Sequence, residues 1–112
     1  MANPIVLYVG ETHITFNCTW TDDAGALVNL TNPDTTNATL SVRWHTDTLG
    51  RVSRLGDGTF AGGPRSGGKF TYQVSANDVL NADLWLLQFK AVYVDGTVLF
   101  TDPVSAEVRT AL

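Results

Sequence analysis

Hydrophobic and polar residues alternate with a period of two in several separate stretches of this chain, the spacing of a strand with one buried face. Over residues 13–20, Ile14, Phe16, Cys18 and Trp20 share one side while His13, Thr15, Asn17 and Thr19 share the other. Ala38, Leu40, Val42 and Trp44 repeat the device against Thr39, Ser41, Arg43 and His45, and Phe70, Tyr72 and Val74 repeat it within residues 69–74. One wet face per strand predicts antiparallel pairing. Residues 84–94 differ, because Leu86, Val92 and Val94 stand opposite Trp85, Leu87, Phe89, Ala91 and Tyr93. That pattern predicts a central strand covered on both faces. Val104, Ala106 and Val108 follow Pro103 and predict a last strand at a sheet edge.

Turn chemistry divides these strands. Asp22-Asp23-Ala24-Gly25 and Asn32-Pro33-Asp34 break the chain, and Asp95-Gly96 is a hairpin signal leading into Thr97-Val98-Leu99-Phe100. Ser75 with Asp78 three residues later forms a short capping box, which predicts one helical turn near residues 75–82. The sum is all-β: an immunoglobulin-like antiparallel β-sandwich of seven to eight strands in a single domain, residues 1–112. The expected core contains Phe16, Trp20, Leu40, Trp44, Tyr72, Leu87 and Phe89.

Composition agrees with that class. Hydrophobic residues make up 44% and charged residues only 16% of the 112 positions, so the polarity rests on Thr, Asn, Ser and Gly. Eleven acids against seven Lys and Arg give a formal charge of −4, which disfavours a polyanionic partner such as nucleic acid. Cys18 is the only cysteine, so neither an internal disulfide nor a cysteine-rich zinc site is expected. The opening residues show no cationic leader pattern and no run has membrane-spanning length, so the expectation is a chain made in the cytoplasm with no membrane partner.

Candidate chemistry is sparse. His13 and His45 fall on outward strand faces without a nucleophile motif nearby, so no catalytic residue is assigned. Asp22 with Asp23, and Asp47 with Asp57, lack the spacing of a calcium loop, and neither a metal nor a cofactor is expected. Three Asn-x-Thr triplets, at Asn17, Asn29 and Asn37, read as chance in a Thr-rich chain without a leader. Trp20, Trp44 and Trp85 share faces with aliphatic residues and read as core rather than as a sugar platform.

Residues 56–68 hold six of the ten glycines and Pro64, in an order that matches no phosphate-binding loop. Residues 51–68 also carry Arg51, Arg54 and Arg65 against the single acid Asp57, a local charge of +2 in a chain of −4. With Phe60 as an apolar anchor, these three arginines are the predicted partner-binding residues, pairing with carboxylates of a neighbouring subunit.

Gly10-Glu11-Thr12 precedes the first long strand, and Asp23-Ala24-Gly25-Ala26-Leu27-Val28-Asn29-Leu30-Thr31 follows it. Then come residues 38–43, Gly68-Lys69-Phe70-Thr71-Tyr72, Asn77-Asp78-Val79-Leu80, Asp95-Gly96-Thr97 and Thr101-Asp102-Pro103. This ordered set, over about residues 10–108, resembles the immunoglobulin-like N-terminal domain family of the phage baseplate upper protein. The resemblance implies a bacteriophage virion structural protein without catalytic residues, a binding module whose partners are other capsid or tail subunits. For a stand-alone copy it implies a decoration or cement protein of the capsid, or a neck or tail component. The alternatives are a baseplate component and an adhesion module binding a host-surface glycan through aromatics such as Phe60.

Overall fold

The computed structural model describes residues 5–11, 14–33, 36–46, 53–79 and 82–110. Nine strands are present among them: β1 (Ile5–Tyr8), β2 (Thr15–Thr19), β3 (Thr39–Thr46), β4 (Ser53–Leu55), β5 (Thr59–Ala61), β6 (Lys69–Gln73), β7 (Asp83–Val92), β8 (Val98–Phe100) and β9 (Val104–Arg109). They form two sheets, one ordered β1-β9-β7-β3-β4 with β8 also on β7, the other β2-β6-β5. The architecture is an all-β sandwich, as the alternation predicts.

The long strand β7 organises the larger sheet. β3 pairs along one edge, from Thr46 opposite Trp85 to Thr39 opposite Val92. The other edge takes β9 and then β8, with Leu87 opposite Val104 and Lys90 opposite Phe100. Thr101 bridges the step between them, donating its N–H to the Phe89 carbonyl at 3.0 Å and accepting the Phe89 N–H at its hydroxyl, also at 3.0 Å. Pro103 falls in that step, where its missing N–H interrupts no ladder.

Four features depart from the sequence reading. β9 is not an edge strand, because β1 pairs alongside it from Ile5 opposite Ala106 to Tyr8 opposite Arg109. That pair is parallel, so the sandwich is mixed rather than wholly antiparallel; Ile5-Val6-Leu7-Tyr8 is an unbroken apolar run and carries no alternation to announce a strand. β4 and β5 are three residues each, too short for periodicity to register, and β5 lies inside the stretch read as a glycine loop. Finally, β7 is central but not covered on both faces, since Leu84 is 50% exposed on its outer side.

The core fills the space between the sheets. Phe60, Phe70 and Tyr72 of the smaller sheet meet Phe89 of the larger one edge-on, with ring centroids 6.1, 5.5 and 6.0 Å away. Trp44 and Trp85 form a second edge-to-face pair at 6.2 Å. Of the expected core, Trp20, Trp44, Tyr72, Leu87 and Phe89 are buried, and Phe16 and Leu40 pack half-buried against them. The capping box closes as predicted: the Asp78 carboxylate accepts the Ser75 N–H at 3.1 Å over a 3-10 turn at Ala76–Val79, with residues 80–81 outside the described residues.

Candidate functional site

The structure separates the predicted partner-binding residues. Arg51 lies outside the described residues. Arg54 is on β4 opposite Trp44, and its guanidinium carbon stands 5.0 Å from the Trp44 ring centroid and 4.7 Å from that of Trp85. Its Nη2 donates to the Asp78 carbonyl oxygen, and its Nη1 lies 3.5 Å from Asp78 Oδ1. Phe60 points inward from β5, with its centroid 4.8 Å from Tyr72 and 5.9 Å from Phe70. Arg65 stays at the surface and donates to its own loop, from Nε to the Gly62 carbonyl at 3.0 Å and from Nη2 to that of Ala61 at 3.4 Å. Arg54 and Phe60 therefore serve the core, and Arg65 braces a turn.

Asp78 is the buried polar centre that Arg54 serves. Its side chain is fully buried and accepts from the Tyr72 hydroxyl, from the Asp57 N–H at 2.8 Å and from the Ser75 N–H at 3.1 Å. A buried carboxylate costs several kcal/mol unless its lone pairs are met, and here donors and a cation meet them. Tyr72 also accepts the Gly58 N–H at 3.0 Å. Burial first, and then the Asp78 carboxylate, push its phenol well above the usual tyrosine range. The glycines of the 56–58 segment follow from this crowding. A Cβ on Gly56 would lie 2.4 Å from Val42 Cγ1, and one on Gly58 would lie 2.2 Å from the Gln73 carbonyl.

Most of the exposed apolar side chains among the described residues lie on the outer face of the larger sheet. Nine large hydrophobic side chains are exposed among the described residues. Six of them, Val6, Tyr8, Leu55, Leu84, Val98 and Phe100, project from outward positions of this one sheet, as the pairing register requires. The outward positions of the smaller sheet carry Thr15, Asn17, Thr19, Thr59, Ala61, Lys69, Thr71 and Gln73 instead. Of the two sheets, the larger thus carries the exposed apolar side chains on its outer face, while Leu27, Val94 and Val104 are exposed elsewhere.

That face is also cationic. Among the described residues its outward charges are Arg43, Lys90 and the Glu107–Arg109 pair, with Arg109 Nε 3.0 Å from Glu107 Oε1. Three cations and one acid leave +2, in a chain whose formal charge is −4. Near the middle, Ser41, Arg43, Leu55, Gln88, Lys90 and Phe100 line a notch of about 230 Å³.

Other candidates hold less chemistry. Trp20, Trp44 and Trp85 are 6, 0 and 1% exposed, which leaves no tryptophan platform for a sugar. Cys18 lies on the inner side of β2 beside a cleft of about 290 Å³ that Ile5, Phe16, Phe89 and Val104 also line, and burial pushes its thiol up to about 11. Among the described residues no group of three or more His, Cys, Asp or Glu is placed to hold a metal ion, and no helix is long and apolar enough to cross a membrane.

The apolar face is not announced by the sequence, because its exposed members Val6, Tyr8, Leu55, Leu84, Val98 and Phe100 come from four different strands, and the outer side of β7, with Leu86 and Val92, reads as covered. A partial signal lies on that side: apolar residues opposite an already complete inner stripe mark a second surface. No family model matches the chain, and no curated protein matches it in sequence.

Proposed function

We propose that this chain is a bacteriophage virion structural protein, a non-enzymatic immunoglobulin-like module that docks on a neighbouring capsid, neck or tail subunit through the outer face of its larger sheet. The observation that carries this reading is the gathering of six of the nine exposed large apolar side chains among the described residues on that face, because exposed apolar surface rimmed by polar residues marks an interaction site. Its excess positive charge selects an acidic surface on the neighbour and disfavours a second copy, whose identical face would bring like charges together.

The strand order supports the immunoglobulin-like part of the reading. β2-β6-β5 corresponds to strands B, E and D of that plan, and β9-β7-β3-β4 to G, F, C and C′. The motif order described above supports the virion setting. Phe60, on which a glycan-binding role would rest, is packed against three rings of the core.

Particles purified by isopycnic centrifugation and analysed by quantitative mass spectrometry test the assignment. The expected result is this chain at a fixed ratio to the major structural proteins. Recovery only in the free-protein fraction would overturn it.

A further inference from the structure

We infer that the notch on the outer face of the larger sheet is a carboxylate-receiving site, which takes an aspartate or glutamate side chain of a partner protein between Arg43 and Lys90. This inference rests on the docking reading above and names the chemistry of its contact. The pairing register builds the notch in two rows. Leu55, Arg43 and Gln88 stand side by side on β4, β3 and β7, and Ser41, Lys90 and Phe100 stand side by side on β3, β7 and β8. Arg43 and Lys90 are therefore diagonal neighbours on adjacent strands, about 7–8 Å apart at the backbone, within reach of one anion for side chains of their length.

Among the described residues neither cation is neutralised. Arg43 makes one hydrogen bond among them, from Nη1 to Ser53 Oγ at 3.3 Å, and the Lys90 ammonium stands 5.8 Å from the Phe100 ring centroid. Among the described residues no carboxylate lies within ion-pair distance of either, whereas Arg54 and Arg109 each have one. Most of the guanidinium fork of Arg43 stays open, and such a fork matches a carboxylate with two parallel hydrogen bonds. The Gln88 amide is held in place by its Nε2 donating to the Thr101 carbonyl at 3.0 Å, which stiffens the floor between the two cations.

The walls select the ligand class. Leu55 and Phe100 are 61% and 57% exposed on opposite flanks, so the notch suits an acidic side chain set among apolar ones. A free phosphate or a nucleic-acid backbone would meet the two cations but leave both walls wet, and a chain of −4 repels a polyanion at longer range. Flanking apolar contacts also lower the local dielectric, which strengthens the ion pair relative to one in open water.

The test uses the full chain, labelled with ¹⁵N, and three end-capped synthetic nonapeptides that alternate leucine with glutamate, glutamine or lysine. The glutamate peptide is expected to give saturable amide shifts centred on Ser41, Arg43, Gln88, Lys90 and Phe100, with at least tenfold weaker binding of the glutamine peptide and none of the lysine peptide. The double variant Arg43→Gln/Lys90→Gln should keep its melting temperature and lose the binding at least tenfold. Equal binding of the glutamate and glutamine peptides, no saturable shift, shifts centred elsewhere, or the same shifts from inorganic phosphate alone would each overturn the inference. Occupancy on particles separates the two readings. A double variant that retains full occupancy refutes the notch while the virion assignment stands; a chain absent from particles that binds the glutamate peptide at the notch refutes the virion assignment alone.

Discussion

Arg54 reaches from β4 to the buried carboxylate of Asp78, with Nη1 3.5 Å from Oδ1, while its guanidinium lies against the rings of Trp44 and Trp85. Removing the cation leaves a fully buried acid without the one charged partner it has among the described residues. Breaking a buried pair costs about 3–5 kcal/mol; with Arg54 26% exposed, Arg54→Ser is expected to cost about 2–4 kcal/mol in urea unfolding. Arg65→Ser, which removes only exposed loop contacts, should stay within about 0.5 kcal/mol. Equal losses for the two variants would show that Arg54 does not hold the core.

Phe60 serves as a second discriminator between core and contact roles. Its ring meets Phe70, Tyr72 and Phe89 within about 6 Å, so truncation opens a cavity where the two sheets meet. Phe89→Ala should cost about 3–5 kcal/mol, and Phe60→Ala, at a half-buried site, about 2–3 kcal/mol. A Phe60→Ala protein with unchanged stability but lost partner binding would return Phe60 to the surface role that the sequence suggested.

Alkaline pH should destabilise the fold in two steps. The Cys18 thiol ionises at 9.0 when free and at about 11 in the fold, where burial disfavours the thiolate. The folded chain thus holds its proton longer, and stability is full below pH 9 and falls as pH rises toward 11. Tyr72, raised from 10.0 by burial and then by Asp78, acts in the same direction at higher pH. Melting curves between pH 8 and pH 10 should show a shallower decline for Cys18→Ala than for the unmodified chain. Parallel declines would place the cause elsewhere.

How much of this was legible depends on the length and purity of each pattern. β2, β3 and β6 carry clean alternation and β7 an unbroken inner stripe, and the inward residues of all four are legible because a period of two fixes the face once one residue is placed. β1 was hidden because Val6 and Tyr8 are apolar yet project outward. Arg54 misled for the opposite reason: a cation in a glycine-rich, acid-poor stretch looks solvated, and its partner Asp78 lies 24 residues away, beyond any local signal. The proposed docking face is a property of four or five strands together. Leu55, Lys90 and Phe100 become neighbours only after register is set, so no window along the chain displays the notch.

The docking face can be weighed directly against the opposite face by measuring occupancy on purified particles for two charge-introducing double variants. Leu55→Glu/Phe100→Glu alters the apolar cationic face, and Asn17→Glu/Thr59→Glu alters the polar face of the smaller sheet at strand positions that are also exposed. With melting temperatures of both variants close to that of the unmodified chain, the first is expected to lose at least tenfold in occupancy and the second to remain near full occupancy. Full occupancy of Leu55→Glu/Phe100→Glu, or loss confined to Asn17→Glu/Thr59→Glu, would contradict docking through the larger sheet.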